Sequence, residues 1–348
     1  MSQVQWERYP QAAHFSLAHS WLCIQSNLGL AQNTIDAYGR ALEDYLSFCQ
    51  RQGFPPEVAT KGQVAEFVHD LTTRPNPHGA KVRVLDSGVG LANATLQQRL
   101  TAIRLWYDYL FEEGFRQDNP VGRGRYTPGK SFGGMREKGL LPRYHKLPWI
   151  PTEEQWQAIL QAAKEESPRN RLMLAFAYDA ALRREELCAL ATGDIDPAHR
   201  ILRIRAETTK NMAERSVPYS AETGTLYAAY LQERQTLSRS RGPLFLSESD
   251  RNLAHPISIW TWSKVVKDLA TCSGVPQLTT HTFRHLCLTD LARAGWELHE
   301  IATFAGHRSL ETTMLYIHLS GRDLADKVYQ GMQSIHRWRM AMMGEEFT

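Results

Sequence analysis

Between His281 and His318 the chain reads HTFRHLCLTDLARAGWELHEIATFAGHRSLETTMLYIH, a stretch whose histidines, arginine and tyrosine could serve one site. Arginine is a permanently charged fork that meets phosphate oxygens in pairs, histidine gives or takes a proton near neutrality, and tyrosine carries an oxygen nucleophile. His281, Arg284 and His285 fall at i, i+3 and i+4, so a helix puts them on one face. The spacing predicts three helices in succession. The first runs from His281 to Ala294-Gly295, and the second spans Leu298 to Ala305 before Gly306 breaks it and presents His307. A third, opened by Ser309 with Glu311 close behind, carries Tyr316 nine residues after His307. Consecutive helix ends thus deliver two histidines, an arginine and a tyrosine to one neighbourhood.

Each residue alone has a plainer role. A tyrosine between Leu315 and Ile317 usually packs half-buried, and a histidine after glycine usually caps a helix. His281 and His285 stand at metal-pair spacing, but no HExxH glutamate lies between them and no cysteine cluster adds ligands, so no metal is expected. The joint pattern is more specific: His-x-x-Arg-His, then Gly-His, then Tyr316. It resembles the C-terminal signature of the tyrosine recombinase (phage integrase) family, and the resemblance makes His281, Arg284, His307 and Tyr316 active-site positions.

Two further regions extend the likeness. The run Ala181-Leu182-Arg183-Arg184-Glu185-Glu186-Leu187 is similar to the family's Gly-Leu-Arg-x-x-Glu-Leu, with alanine where glycine is frequent. By residue type the tandem arginines and glutamates read as a solvated helix face. The resemblance instead makes Arg183 the first active-site arginine, Glu186 its supporting acid, and Arg184 a bystander. Residues 199–219 change period: Ile201–Arg205 and Arg215–Pro218 are β-prone runs around a polar stretch, which predicts a hairpin. A lysine in a turn is ordinarily only solvent-exposed. In the family a hairpin lysine joins the active site, and Lys210 is the candidate.

The elements that must position these residues fall into two groups. From about Phe15 to Asp118 the pattern predicts four amphipathic helices, a compact all-α unit. One is expected from capping residues at Ala31–Thr34 to Gly53. The last is expected to bury Leu96, Leu100, Ile103, Leu105, Trp106, Tyr109, Leu110 and Phe111. Asn33–Tyr38 (NTIDAY), the spacing of Thr95, Arg99, Leu100, Ala102, Ile103 and Arg104, and Asn119-Pro120 are similar to the family's core-binding domain. Further on, a capped helix is expected from Glu153. A following one should bury Leu172, Leu174, Ala175, Ala177 and Tyr178 and turn at Ala180-Ala181. The expected organisation is a helical core-binding domain over 1–120, a basic linker over 121–150, and a catalytic domain over 151–348. The latter ends in an amphipathic helix over 322–343 bearing Leu324, Val328, Met332, Ile335, Trp338 and Met342. The fold class is mainly α with a small β hairpin or sheet, the catalytic part being α+β.

With 348 residues, 43% of them hydrophobic and 22% charged, the chain can bury two real cores and is neither disordered nor membrane-spanning in character. No apolar run is long enough to cross a bilayer and the N-terminus lacks signal-peptide order, so a cytoplasmic protein is expected. Five scattered cysteines read as buried free thiols. A net charge of +3 proves no partner, but residues 121–147 hold Arg123, Arg125, Lys130, Arg136 and Lys138 among seven cations and one acid. Composition fits a solvated linker as well as a strap along phosphates; beside a unit resembling a DNA-breaking domain, the strap is expected.

The resemblance implies a reaction. Arg183 and Arg284 grip a phosphodiester, Tyr316 attacks it to form a 3′-phosphotyrosine link, Lys210 protonates the departing 5′ oxygen, and His281 and His307 donate hydrogen bonds or move protons. The covalent link keeps the phosphodiester energy, so no cofactor, ATP or metal is implied. The partner is double-stranded DNA and the assembly a homotetramer on two sites. The role is that of an integrase, resolvase or transposase of a mobile element, associated with a bacterial nucleoid. Two other functions compete: DNA relaxation like that of a type IB topoisomerase, and an inactive DNA-binding accessory protein.

Overall fold

The computed structural model describes residues 3–74, 91–121, 141 and 148–314, and in the C-terminal stretch residues 329, 332, 333, 335, 337–339 and 342. The chain divides into two compact units, Met1–His145 and Lys146–Thr348.

The first unit is helical. A one-turn helix, α1 (Pro10–His14), opens with proline where a missing N–H costs nothing, and precedes the four expected helices. These are α2 (Ser16–Asn27), α3 (Gln32–Gln52), α4 (Lys61–Thr73) and α5 (Asn93–Glu112). Gly53 ends α3 at φ 73°, but the expected caps at its start supply no side-chain bond: Ala31 stands at the N-cap. A Thr60–Gln63 capping box starts α4. On α5 the inward face differs from expectation. Tyr107 is fully buried, because its hydroxyl meets that of Tyr45 at 2.6 Å and donates to the Pro56 carbonyl at 2.7 Å. Phe111, one step of about 100° past buried Leu110, is 53% exposed.

The second unit begins with α6 (Glu153–Ala163), started by a Thr152–Gln155 capping box, and α7 (Pro168–Asp179), capped by Ser167. Met173 and Phe176 are buried on α7, whereas Ala175 and Tyr178 are only half-buried. Then come α8 (Arg184–Cys188) and three antiparallel strands, β1 (Ile195–Asp196), β2 (Ile201–Ile204) and β3 (Arg215–Pro218), in that order. The expected hairpin is β2–β3, with Leu202 opposite Val217 and Ile204 opposite Arg215; β1 adds an edge strand. Helices α9 (Ala221–Leu237), α10 (Ile259–Cys272), α11 (Thr282–Arg293), α12 (Leu298–Ala305) and α13 (Leu310–Met314) follow. The main core gathers Phe176, Leu202, Val217, Phe245, Trp262 and Phe283. A smaller cluster joins Ala181 to Cys287, Leu288, Ile301 and Ala305. Among the cysteines only Cys49 and Cys287 are fully buried and Cys272 is exposed, so the expectation of buried thiols holds for two. No helix among the described residues is long and apolar enough to cross a membrane.

Candidate active site

The turn from α7 to α8 places the first arginine. Ala181, at the position where glycine was the expected residue, adopts φ 46°, a left-handed conformation unfavourable for a residue with a Cβ. Two contacts offset that strain. Its methyl is fully buried in the smaller cluster, and its carbonyl accepts from Arg284 Nη1 at 2.5 Å. Two residues on, Arg183 is the N-cap of α8, where Glu186 accepts its backbone N–H at 3.0 Å and its Nη1 at 2.7 Å. Arg184, next in sequence, turns to Glu185 and to the Ser263 hydroxyl instead.

The second organising feature is the carboxyl end of α12. The last carbonyls of a helix lack intrahelical donors and lie at the negative end of its dipole. Gly306, at φ 64°, lets the chain turn there while the His307 N–H returns to the Ala302 carbonyl at 2.9 Å. Arginines supply the missing donors. Arg215 Nε bonds the Phe304 carbonyl at 3.1 Å, Arg284 Nη2 bonds Ala305 at 2.7 Å, and Arg183 Nη2 reaches Gly306 at 3.3 Å. Asn211 Nδ2 shares the Gly306 carbonyl at 3.0 Å, and Arg308 returns a bond to the Asn211 carbonyl. The hairpin bearing Lys210 is thereby tied to the turn bearing His307. Lys210 itself is exposed.

His307 sits between two partners. Its Nε2 lies 2.8 Å from Arg284 Nη2 and its Nδ1 2.9 Å from the Thr313 hydroxyl. A guanidinium only donates, so Nε2 accepts, and the ring is neutral with its proton on Nδ1 directed at Thr313. Burial, then the charges of Arg284 and Arg183, pushes its pKa down to about 3. Burial alone would raise Glu186, which is 1% exposed; hydrogen bonds and charge from Arg215 and Arg183 outweigh it and bring the pKa down to about 2. His281 stands exposed at the N-cap of α11. Loss of solvent around the ring, then the charges of Arg284, Arg184 and Arg183, lowers its pKa against the opposing pull of Glu185. His285, on the same side of α11, is pushed down to about 4, chiefly by burial.

The structure therefore brings Arg183, Glu186, Arg284 and His307 into one bonded set, with His281 at the start of the helix that carries Arg284. Tyr316 lies outside the described residues, as do Arg123, Arg125, Lys130, Arg136 and Lys138. Three participants escaped the sequence reading: Arg215, Asn211 and Thr313. Arg215 left one sign, since it stands two residues before buried Val217 and so faces inward on β3, an unusual place for a cation.

Comparison with known proteins supplies the family. The phage integrase family profile matches residues 151–322, a span that holds every member of the bonded set. A tyrosine recombinase XerC of Chromobacterium violaceum is 31% identical over 243 residues, covering 70% of this chain and 75% of the relative. The chain belongs to the tyrosine recombinase (phage integrase) family. A second tyrosine recombinase, XerD of Caulobacter vibrioides, is 28% identical over 307 residues and spans 85% of this chain and 88% of its own. The fold is shared with a Tn1549 transposon integrase solved with circular intermediate DNA, at TM-score 0.64 and 14% identity, covering 90% of this chain and 98% of that one. As a tyrosine recombinase, the protein is an enzyme that cleaves and rejoins DNA.

Proposed function

We propose that this recombinase acts site-specifically on double-stranded DNA through a 3′-phosphotyrosine intermediate, as the integrase, resolvase or transposase of a mobile element. The observation that carries the reading is the placement of two guanidiniums on successive carbonyls, Arg284 on Ala305 and Arg183 on Gly306. Arginines so anchored keep a fixed separation and offer the two-sided charged grip that a phosphodiester needs as charge builds on its oxygens. Tyr316 Oη then forms the bond to phosphorus while the 5′ oxygen leaves with a proton from Lys210, whose ammonium can release one where arginine cannot. The tyrosine's own proton passes to a histidine, and His281 is the better suited because the His307 Nε2 lone pair is engaged by Arg284. Attack of a second strand's 5′ hydroxyl on the phosphotyrosine rejoins DNA without ATP, metal or other cofactor.

Residues 1–120 would serve as the core-binding domain and 151–348 as the catalytic domain, with Arg123, Arg125, Lys130, Arg136 and Lys138 of the linker along phosphates. The working assembly would be a homotetramer on two sites. Helical Ile335, Trp338 and Met342, 41%, 63% and 72% exposed, support docking of the C-terminal segment on a neighbouring copy. A nicked duplex that loses its short 5′ strand after cleavage tests the reading. It should accumulate a covalent protein–DNA adduct only when drawn from sites near the gene. Adducts on any sequence, together with relaxation of supercoiled plasmid, would favour the topoisomerase, and no adduct at all the inactive accessory protein.

A further inference from the structure

Arg215 is not among the residues from which the reaction was built, yet it is bonded into the scaffold of the site at two places. Its Nη1 and Nη2 meet the two oxygens of Glu186 at 3.1 and 2.7 Å, and its Nε holds the Phe304 carbonyl at 3.1 Å. The same two Glu186 oxygens hold Arg183, one through the Nη1 of its side chain and one through its backbone N–H. Glu186 is thus a bridge with Arg183 on one side and Arg215 on the other. The Arg215 side chain is 9% exposed and lies across Gly306, its Cδ and Nη1 each 3.1 Å from where a Cβ would stand. All three of its guanidinium nitrogens are bonded to protein oxygens.

We propose that Arg215 is a positioning residue for strand cleavage, acting through Glu186 to fix the Arg183 guanidinium and through the Phe304 carbonyl to fix the turn that presents His307. Three points support this. A bidentate arginine–carboxylate pair sets orientation as well as charge. With 1% exposure, Glu186 requires neutralisation from more than one side, and Arg183 alone also has to serve the substrate. Finally, Arg215 couples β3 to the end of α12, so a single side chain keeps Arg183 and His307 in register. The charged or titratable groups acting on Glu186 are Arg183 before α8, Arg215 on β3 and His307 after α12. Removing Arg215 leaves the carboxylate with one full cation, and its affinity for a proton rises.

The inference rests on the proposed cleavage reaction, and its test separates the two. Single-turnover adduct formation is measured on the nicked duplex with full-length protein, with duplex affinity measured alongside. Wild-type protein that forms no adduct refutes the cleavage reading itself. Given wild-type activity, Arg215→Ala should slow adduct formation about tenfold or more, as expected when at least one charge-assisted bond is removed, with affinity nearly unchanged. The acid limb of its pH profile should move to higher pH, and Arg215→Lys should recover part of both effects. Because Arg215 acts through Glu186, its replacement in a Glu186→Gln background should cost much less than in wild type. If Arg215→Ala fails to fold, Arg215→Gln replaces it in every arm. Multiplicative effects of the two substitutions, or an unmoved acid limb, would overturn the proposal.

Discussion

Arg183 engages Glu186 through both its main chain and its guanidinium while reaching the Gly306 carbonyl, a set of directions that a lysine ammonium cannot reproduce. Arg183→Lys and Arg284→Lys should each abolish measurable adduct formation, and Arg184→Ala should cost little, since Arg184 directs its donors to Glu185 and Ser263. The reverse order in a cleavage assay would place the wrong arginine of the tandem pair in the site. Glu186 makes a stability prediction with a definite sign. Its folded pKa of about 2 lies below the ordinary 4.5, so its contribution is complete above 4.5 and is lost as pH falls toward 2. Glu186→Gln should therefore destabilise the second unit by roughly 3 kcal/mol at pH 7, with the gap to wild type closing below about pH 4 in urea unfolding curves. Arg284 and His307 stood out in a joint spacing local to consecutive helices and turns, whereas Arg183 was singled out only through the resemblance to the family's Gly-Leu-Arg-x-x-Glu-Leu. Arg215 was not legible, because what defines it is its bonding to Glu186, 29 residues earlier, and to the end of α12, 89 residues later.

At the level of elements, helix ends do the positioning. Gly306 gives α12 its left-handed close, and a Cβ there would meet Arg215 at 3.1 Å besides forcing φ 64° on an alanine. Gly306→Ala should cost about 1–3 kcal/mol in stability and slow cleavage more than it weakens DNA binding, because it displaces Arg215 and His307 together. Equal loss of binding and cleavage rate would argue against that coupling. Glycine, proline and capping residues announced most boundaries correctly: Gly53 after α3, Thr152 before α6, Gly295 after α11 and Gly306 after α12. What they could not announce depends on partners elsewhere in the chain. Tyr107 is buried because Tyr45 and Pro56 meet its hydroxyl, an arrangement no periodicity records, while β1 has only two residues and forms because β2 offers it a ladder. Ala181 shows the opposite case, a residue that breaks the local rule for a turn and is held there by its own burial and by Arg284.

On the proposed function, the whole molecule must hold DNA over many phosphates and cut it with one tyrosine. If Arg123, Arg125, Lys130, Arg136 and Lys138 lie along phosphates, replacing all five with alanine should weaken binding to every sequence alike. The slope of log affinity against log salt should fall by about one unit for each phosphate that is no longer neutralised, and site preference should survive because phosphates carry no base information. An unchanged slope would return residues 121–150 to the role of solvated linker. The central claim is narrower, that Tyr316 is the nucleophile served by the Arg183–Glu186–Arg284–His307 set. It is tested most directly by digesting the trapped protein–DNA adduct and finding which residue bears the 3′ phosphate. The expected result is a single modified peptide with the phosphate on Tyr316 and no adduct from Tyr316→Phe. A phosphate on Tyr329, or adduct formation undiminished in Tyr316→Phe, would contradict it.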